Sequence, residues 1–88
     1  MDNVINSLET EIIPNASTTA IKEIEQVGLD NMKAYKKDST FDYKTAAKKV
    51  KAMYDKLSSA EQKELYLSFL KYCSFDDLSR LRDFLGLS

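Results

Sequence analysis

The chain has 88 residues, of which 43% are hydrophobic and 31% charged, with a formal net charge of −1. This length accommodates one domain with a modest core, and the composition is that of a globular chain rather than a disordered one. No stretch approaches the roughly 18 consecutive apolar residues of a membrane span and no signal peptide opens the chain, so we expect a cytoplasmic protein without a membrane partner.

The elements should all be helices, because only two glycines and one proline interrupt a chain rich in Lys, Glu, Ala and Leu. The first helix is expected from about Asn3 to Ile12, with Asp2 or Asn3 as its cap. Pro14 disfavours helical geometry at Ile13, so this helix should end there.

A second helix is predicted to begin at Thr18 or Thr19, since either hydroxyl can cap it. It should run to about Tyr35 or Lys36. Gly28 could be a close-contact site inside one continuous helix, or it could separate two shorter helices. The apolar face keeps its phase across the glycine, which favours a continuous helix.

The third helix has the most regular pattern in the chain and begins after Asp42, which can cap it. Its apolar residues follow the three-four spacing of a helix without a miss: Tyr43, Ala46, Ala47, Val50, Met53, Tyr54 and Leu57. This spacing predicts one broad face packed against the rest of the protein.

The fourth helix should span Ser59 to Cys73 and start with a capping box, formed either by Ser58 with Glu61 or by Ser59 with Gln62. Its apolar residues are Leu65, Tyr66, Phe69, Leu70, Tyr72 and Cys73. They cover an arc well beyond the roughly 100° that a surface helix needs, so we expect this helix to lie at the centre of the bundle.

A last helix should follow a second box, Ser74 with Asp77, and end at Gly86 in a left-handed cap that lets Leu87 fold back. Its apolar residues are Phe75, Leu78, Leu81, Phe84 and Leu85. Together these patterns predict an all-α fold, a small single-domain bundle of four to five short helices that spans residues 1–88.

The residue types argue against an enzyme. The chain has no histidine, which removes the commonest general base and metal ligand, and its single cysteine excludes a structural zinc site. No glycine-rich phosphate loop is present either. We therefore expect no catalytic, cofactor-binding or metal-binding residues, and we interpret Cys73 as a small buried apolar residue rather than a reactive thiol.

Charge is unevenly distributed: residues 1–30 carry a net −5, and residues 31–56 carry a net +5. Within the third helix, Lys44, Lys48 and Lys51 form a strip off the apolar face. This strip could bind an acidic protein or nucleic acid, or it could be a solvated face. The acidic first third could also fold back on the basic helix, so that the opposite charges pair within the protein and indicate no partner.

Two leucines, Leu29 and Leu67, fall outside the main apolar face of their helices. They belong either to an interaction patch or to a second packing face of the bundle. Our leading hypothesis is a small non-enzymatic protein-binding module, such as an inhibitor, an adaptor or a regulatory factor, with Lys44, Lys48, Lys51, Leu29 and Leu67 as partner-binding residues. The alternative is a nucleic-acid-binding or transcription-regulating module that uses the lysines, and a homodimer is also compatible with the sequence.

Overall fold

A computed structural model describes residues 2–86 and contains helices but no strand within that range. The elements are α1 (Asp2–Ser7), a π-helical turn (Leu8–Ile12), α2 (Thr19–Lys37), α3 (Tyr43–Asp55), α4 (Ser59–Tyr72) and α5 (Phe75–Leu85). They form one globule with principal extents of 34 × 24 × 21 Å. The predicted all-α bundle is therefore confirmed.

The caps predicted for α2, α3 and α4 lie where the sequence indicates, because each depends on residues only three positions apart. Asp2 and Asn3, predicted as caps of the first helix, lie inside α1 instead. The Thr18 side chain accepts a hydrogen bond from the Ile21 N–H at 3.2 Å, and Asp42 accepts one from the Thr45 N–H at 3.2 Å. At the start of α4, the capping box is formed by Ser58. Its partner Glu61 bonds back to the Ser58 N–H at 3.0 Å.

The start of α5 and its end also follow the predicted pattern. Ser74 accepts a hydrogen bond from the Asp77 N–H at 3.3 Å. Gly86 is left-handed, with φ 70° and ψ 24°, and its N–H bonds the carbonyl of Arg82. The predicted contact of Leu87 lies outside the described residues.

The N-terminal helix ends at Ile12 as predicted, but the reason given for that end was wrong. Ile13 keeps helical angles, with φ −62° and ψ −46°, although Pro14 follows it. The chain instead widens into a π turn, in which the Ile13 N–H bonds the Leu8 carbonyl at 3.0 Å. This wider turn lets Leu8, Ile12 and Ile13 all be buried.

Helix α2 runs without interruption through Gly28, so the prediction of a continuous helix is confirmed. Gly28 is buried against α5, and a Cβ at this position would lie 3.2 Å from the Cδ2 atom of Leu85. The glycine therefore lets the backbone of α2 approach α5 closely.

Helices α2, α3 and α5 pack on one another and form the centre of the bundle. Three rings join them, and Tyr35 meets the other two edge to face, with ring centroids 5.3 Å from Tyr43 and 5.6 Å from Phe84. The N-terminal segment then covers α2 and reaches α4 through the π turn.

The prediction that α4 forms the centre is wrong. Within α4 the fully buried residues are Leu65 and Phe69, whereas Tyr66 and Leu70, expected in the core, are exposed. The wide apolar arc does not reflect contact with several helices. Part of this arc faces solvent, because α2, α3 and α5 pack their apolar faces against one another and leave one side of α4 uncovered.

Two ion pairs join the acidic N-terminal segment to the basic end of α2. Lys33 lies 2.9 Å from Glu9, and Lys36 pairs with Asp2. One hypothesis was that the acidic first third of the chain folds back on the basic helix α3. The ion pairs show that it does fold back on lysines, but these are lysines of α2. Exposed pairs of this kind contribute little to stability, because water screens them.

Candidate functional site

The described part of the chain exposes four large apolar side chains close together in sequence. They are Tyr66 (60% exposed), Leu67 (49%), Leu70 (45%) and Phe75 (83%). Single exposed leucines are ordinary, but large apolar side chains clustered on two consecutive helices form a candidate interaction surface.

Three of them, Tyr66, Leu70 and Phe75, border a groove of about 200 Å³ between α4 and α5. The residues that line it are Tyr54, Leu65, Tyr66, Phe69, Leu70, Phe75, Leu78, Ser79, Leu81, Arg82 and Leu85. Buried core residues such as Leu65 and Leu81 form its floor, whereas Tyr66, Leu70 and Phe75 are its exposed walls. We call this feature the α4/α5 groove.

The tight link between the two helices explains why Phe75 projects into solvent. Cys73 ends α4 in an extended conformation, and Ser74 caps α5 immediately afterwards, so Phe75 is the first residue of α5. A side chain in the first turn has no preceding helical turn beneath it to pack on. Phe75, which belongs to the predicted apolar pattern of the last helix, therefore lies outside the core.

The residues that line the groove include a single charge. Arg82 is the one charged residue among the described residues that line it, and within residues 2–86 it has no ion-pair partner inside 4 Å. Lys63 and Lys71 are exposed on α4. They lie one turn before and one turn after Leu67, outside the residues that line the groove, and the ammonium of Lys71 is 5.2 Å from the centre of the Tyr72 ring.

The carboxylates of α4 face away from the groove, toward the start of α2. Glu61 accepts a hydrogen bond from the Thr18 hydroxyl at 2.7 Å. Glu64 accepts bonds from the backbone N–H of Ser17, at 3.1 Å, and from its hydroxyl. The pKa of Glu61 is lowered chiefly by the Thr18 bond, so this carboxylate is held in its charged form.

The predicted lysine strip lies on a different surface. Lys44, Lys48 and Lys51 line a second depression together with Asp83 of α5. Lys51 is paired with Asp55 at 2.6 Å. The three lysines are thus brought together as expected, but carboxylates partly neutralise them.

The two candidate leucines, Leu29 and Leu67, lie in different environments. Leu67 is exposed on α4, although it is not one of the residues that line the α4/α5 groove. Leu29 is only 3% exposed and belongs to the core, so its placement in an interaction patch is wrong. Leu29 instead belongs to a second packing face of the bundle, which was the other interpretation. The N-terminal segment and α5 both pack against α2.

Tyr66, Leu70 and Phe75 are the groove residues that sequence reasoning assigned to the core. The signal that could have revealed them is the excess width of the α4 arc. A helix whose apolar residues cover far more than about 100° must either be surrounded by other helices or leave part of that arc exposed. Periodicity along α4 is the same in both cases.

Cys73 is the one cysteine of the chain and lies at the end of α4. Burial, reinforced by the charge of Asp77, raises the pKa of the Cys73 thiol to about 11. The thiol is therefore protonated at neutral pH and a poor nucleophile. Among residues 2–86, no three acidic or cysteine side chains converge so as to hold a metal ion.

Comparison of the chain with protein-family models, with curated proteins and with solved structures gave no match. Within the described residues, none of the helices is both long enough and apolar enough to cross a membrane.

Proposed function

We propose that this protein is a non-enzymatic protein-binding module that acts by covering a surface of a partner protein with its α4/α5 groove. The observation that carries the proposal is the cluster of exposed apolar side chains around one concave site, above all Phe75 at 83% exposure. An aromatic ring held out beside a groove is the kind of residue that dominates the binding energy of protein interfaces.

The size of the apolar surface is compatible with a specific complex. A full aromatic side chain offers about 200 Å², so the exposed fractions of Tyr66 and Phe75 amount to roughly 300 Å². Burying that area would contribute about 7 kcal/mol before the cost of association. Leu67 and Leu70 add to the same surface.

The alternative, nucleic-acid binding through the lysine strip, has weaker support. Lys51 is already paired with Asp55, and Asp83 borders the same depression, so phosphates would meet carboxylates there. The formal net charge of −1 provides no long-range attraction for nucleic acid.

Affinity capture from nuclease-treated lysate of the native host tests whether the α4/α5 groove or the lysine strip binds a partner. Three baits are compared: the wild type, the double variant Tyr66→Ser/Phe75→Ser, and the triple variant Lys44→Gln/Lys48→Gln/Lys51→Gln. We expect proteins that bind the wild type to be retained by the triple variant and lost by the double variant. Both variants should fold, because every substituted side chain is at least partly exposed.

Circular dichroism of each bait is the control for folding. Capture of the same proteins by the double variant would contradict the proposal. Binding to duplex DNA at near-physiological salt, lost in the lysine variant, would instead support the nucleic-acid alternative.

A further inference from the structure

We propose that the contact between α2 and α4 is a pH-sensitive switch: α4 stays attached to the bundle while Glu25 is protonated, and it opens locally when Glu25 becomes charged. We call this contact the α2/α4 junction. Its members are Ser17, Thr18 and Glu25 on one side, and Glu61 and Glu64 on the other. The inference goes beyond the proposed function, because it concerns how α4 is held and not what the α4/α5 groove binds.

The start of α2 is held to α4 by hydrogen bonds to two carboxylates. The Thr18 hydroxyl donates to Glu61 at 2.7 Å, and the N–H and hydroxyl of Ser17 both donate to Glu64. Glu25 comes two helical turns after Thr18, so it lies on the same face of α2 and continues this contact. The junction therefore contains three carboxyl groups, those of Glu25, Glu61 and Glu64.

Glu25 is the carboxyl group of the junction that lacks a polar partner. It is 1% exposed, and neither of its oxygens has a hydrogen bond within residues 2–86. A buried carboxylate without a partner is costly, so this group stays protonated until the structure around it admits water. Once charged, Glu25 would also be repelled by Glu64. Both effects oppose closure of the junction, and both begin only when Glu25 loses its proton.

No cation offsets this repulsion in the described part of the chain. Within residues 2–86, none of the three carboxyl groups of the junction has an ion-pair partner inside 4 Å. Lys22 lies one turn before Glu25 on α2, but it is exposed. Burial and the charge of Glu64 together raise the pKa of Glu25 to about 8.

The other charged groups on the elements around α2 are exposed, paired or placed elsewhere along this helix. They are Asp2 paired with Lys36 and Glu9 paired with Lys33, the exposed Glu11 of the π-helical turn, Lys49 of α3 beside Val27 and Asn31, the exposed Lys63 of α4, and Asp77 of α5 paired with Arg80. Glu64 is therefore the charged neighbour that matters for Glu25.

Helix α4 is the element that this repulsion would release. Its buried residues are Leu65 and Phe69, whereas six residues of α2 are buried. Helices α2, α3 and α5 pack on one another, whereas α4 packs chiefly on the π-helical turn. Elements with few buried apolar side chains open at a lower free energy than the core does. Opening of α4 would admit water to Glu25, and it would also remove one wall of the α4/α5 groove.

Hydrogen exchange followed by NMR at pH 5.5 and 8.5 tests the switch residue by residue. Each exchange rate, divided by the intrinsic rate at the same pH, gives the equilibrium constant for opening. Because opening releases the proton of Glu25, this constant should rise on the order of 100-fold for the amides of α4 between the two pH values. The chain has no histidine, the side chain that ordinarily titrates in this range.

A second property separates local opening from global unfolding. The amides of α4 should open more readily than those of α2, α3 and α5, and their opening constants should depend little on low concentrations of urea. Urea promotes a transition in proportion to the surface that the transition exposes, and detachment of one helix exposes less than unfolding of the whole chain.

A matched pair of variants, each lacking one carboxylate of α2, identifies the titrating group. Glu25→Gln keeps the shape of the side chain and removes its titration, so the opening constant of α4 should change less than about threefold between pH 5.5 and 8.5. Glu23→Gln removes a carboxylate from the exposed side of the same helix and should keep the pH dependence of the wild type.

The switch would be overturned if the amides of α4 had the same opening constants and urea dependence as those of α2, α3 and α5. The pH would then act on the stability of the whole protein alone. Equal pH dependence of α4 opening in the wild type and in Glu25→Gln would also overturn it. If Glu25→Gln does not fold, the comparison of α4 with α2 in the wild type still decides the question.

Discussion

Glu25 of α2 is buried close enough to Glu64 of α4 for the two carboxylates to repel each other. Glu25 is only 1% exposed, and neither of its carboxyl oxygens has a hydrogen-bond partner in residues 2–86. Burial, followed by the charge of Glu64, raises the pKa of Glu25 to about 8. The carboxyl is therefore protonated in the folded protein at neutral pH, because an unpaired buried charge is costly.

Because the pKa of Glu25 is raised in the folded state, we expect the protein to lose stability as the pH rises from about 5 to about 8. The folded state holds a proton on Glu25 that the unfolded state releases near its ordinary pKa of 4.5. Between the two pKa values the free energy of unfolding should fall by at most about 1.4 kcal/mol per pH unit, and above the folded pKa the loss is complete. Urea unfolding at pH 5.5, 7.0 and 8.5 measures this slope.

Glu25→Gln provides the control, since it keeps the shape of the side chain and removes its titration. Its free energy of unfolding should depend much less on pH over this window. The carboxylates with lowered pKa values, Asp2, Asp38, Asp42 and Glu61, act in the opposite direction and only at more acidic pH. An equal slope in both proteins would contradict a protonated Glu25.

Leu65 and Leu70 form a matched pair on α4 that tests which side of this helix faces the core. Leu65 is 1% exposed and Leu70 is 45% exposed. Leu65→Ala should lower the free energy of unfolding by about 2–5 kcal/mol, as a buried leucine deletion does. Leu70→Ala should cost about 1 kcal/mol or less. Chemical denaturation of both variants checks the difference, and the reverse order would mean that α4 is rotated about its axis.

Gly86 should not tolerate a side chain. Its φ of 70° is left-handed, and a Cβ there would lie 2.7 Å from the carbonyl oxygen of Ala47. We expect Gly86→Ala to destabilise the protein by at least about 1–2 kcal/mol, because the left-handed conformation alone costs that much for an L-residue. The thermal unfolding midpoint should fall accordingly.

Gly28→Ala is the matched control for Gly86→Ala. Position 28 is helical, and its new Cβ would meet the flexible end of Leu85 at 3.2 Å rather than a backbone carbonyl. A gain of up to about 1 kcal/mol in helix propensity would offset the tight contact. Gly28→Ala should therefore be the milder change, and equal losses at the two positions would argue against the left-handed cap.

Cys73 should react slowly with an uncharged alkylating reagent such as iodoacetamide. Raising the pKa of its thiol from 9.0 to about 11 lowers the thiolate population at neutral pH by roughly 100-fold. Labelling at pH 7.5, followed by mass spectrometry, should be slow in native buffer and fast in urea. Rapid native labelling would identify an accessible, reactive thiol instead.

The sequence by itself determined the positions and ends of the helices. Thr18, Asp42, Ser58 and Ser74 each cap a helix by bonding an N–H three residues ahead, so the chain carries that information locally. Gly86 likewise ends α5 through its own backbone freedom. Such features depend on neighbours within one turn and are readable without knowledge of the rest of the fold.

Only the tertiary structure decided which apolar side chains are covered. Leu70 and Phe75 have core-like spacing yet lie at the surface, whereas Leu29 and Glu25 lie off the expected pattern yet are buried. Burial depends on which face of a helix another helix reaches, and those contacts join residues far apart in sequence. The α4/α5 groove is therefore visible only once α2, α3 and α5 have packed together, because that packing leaves one side of α4 without a neighbour.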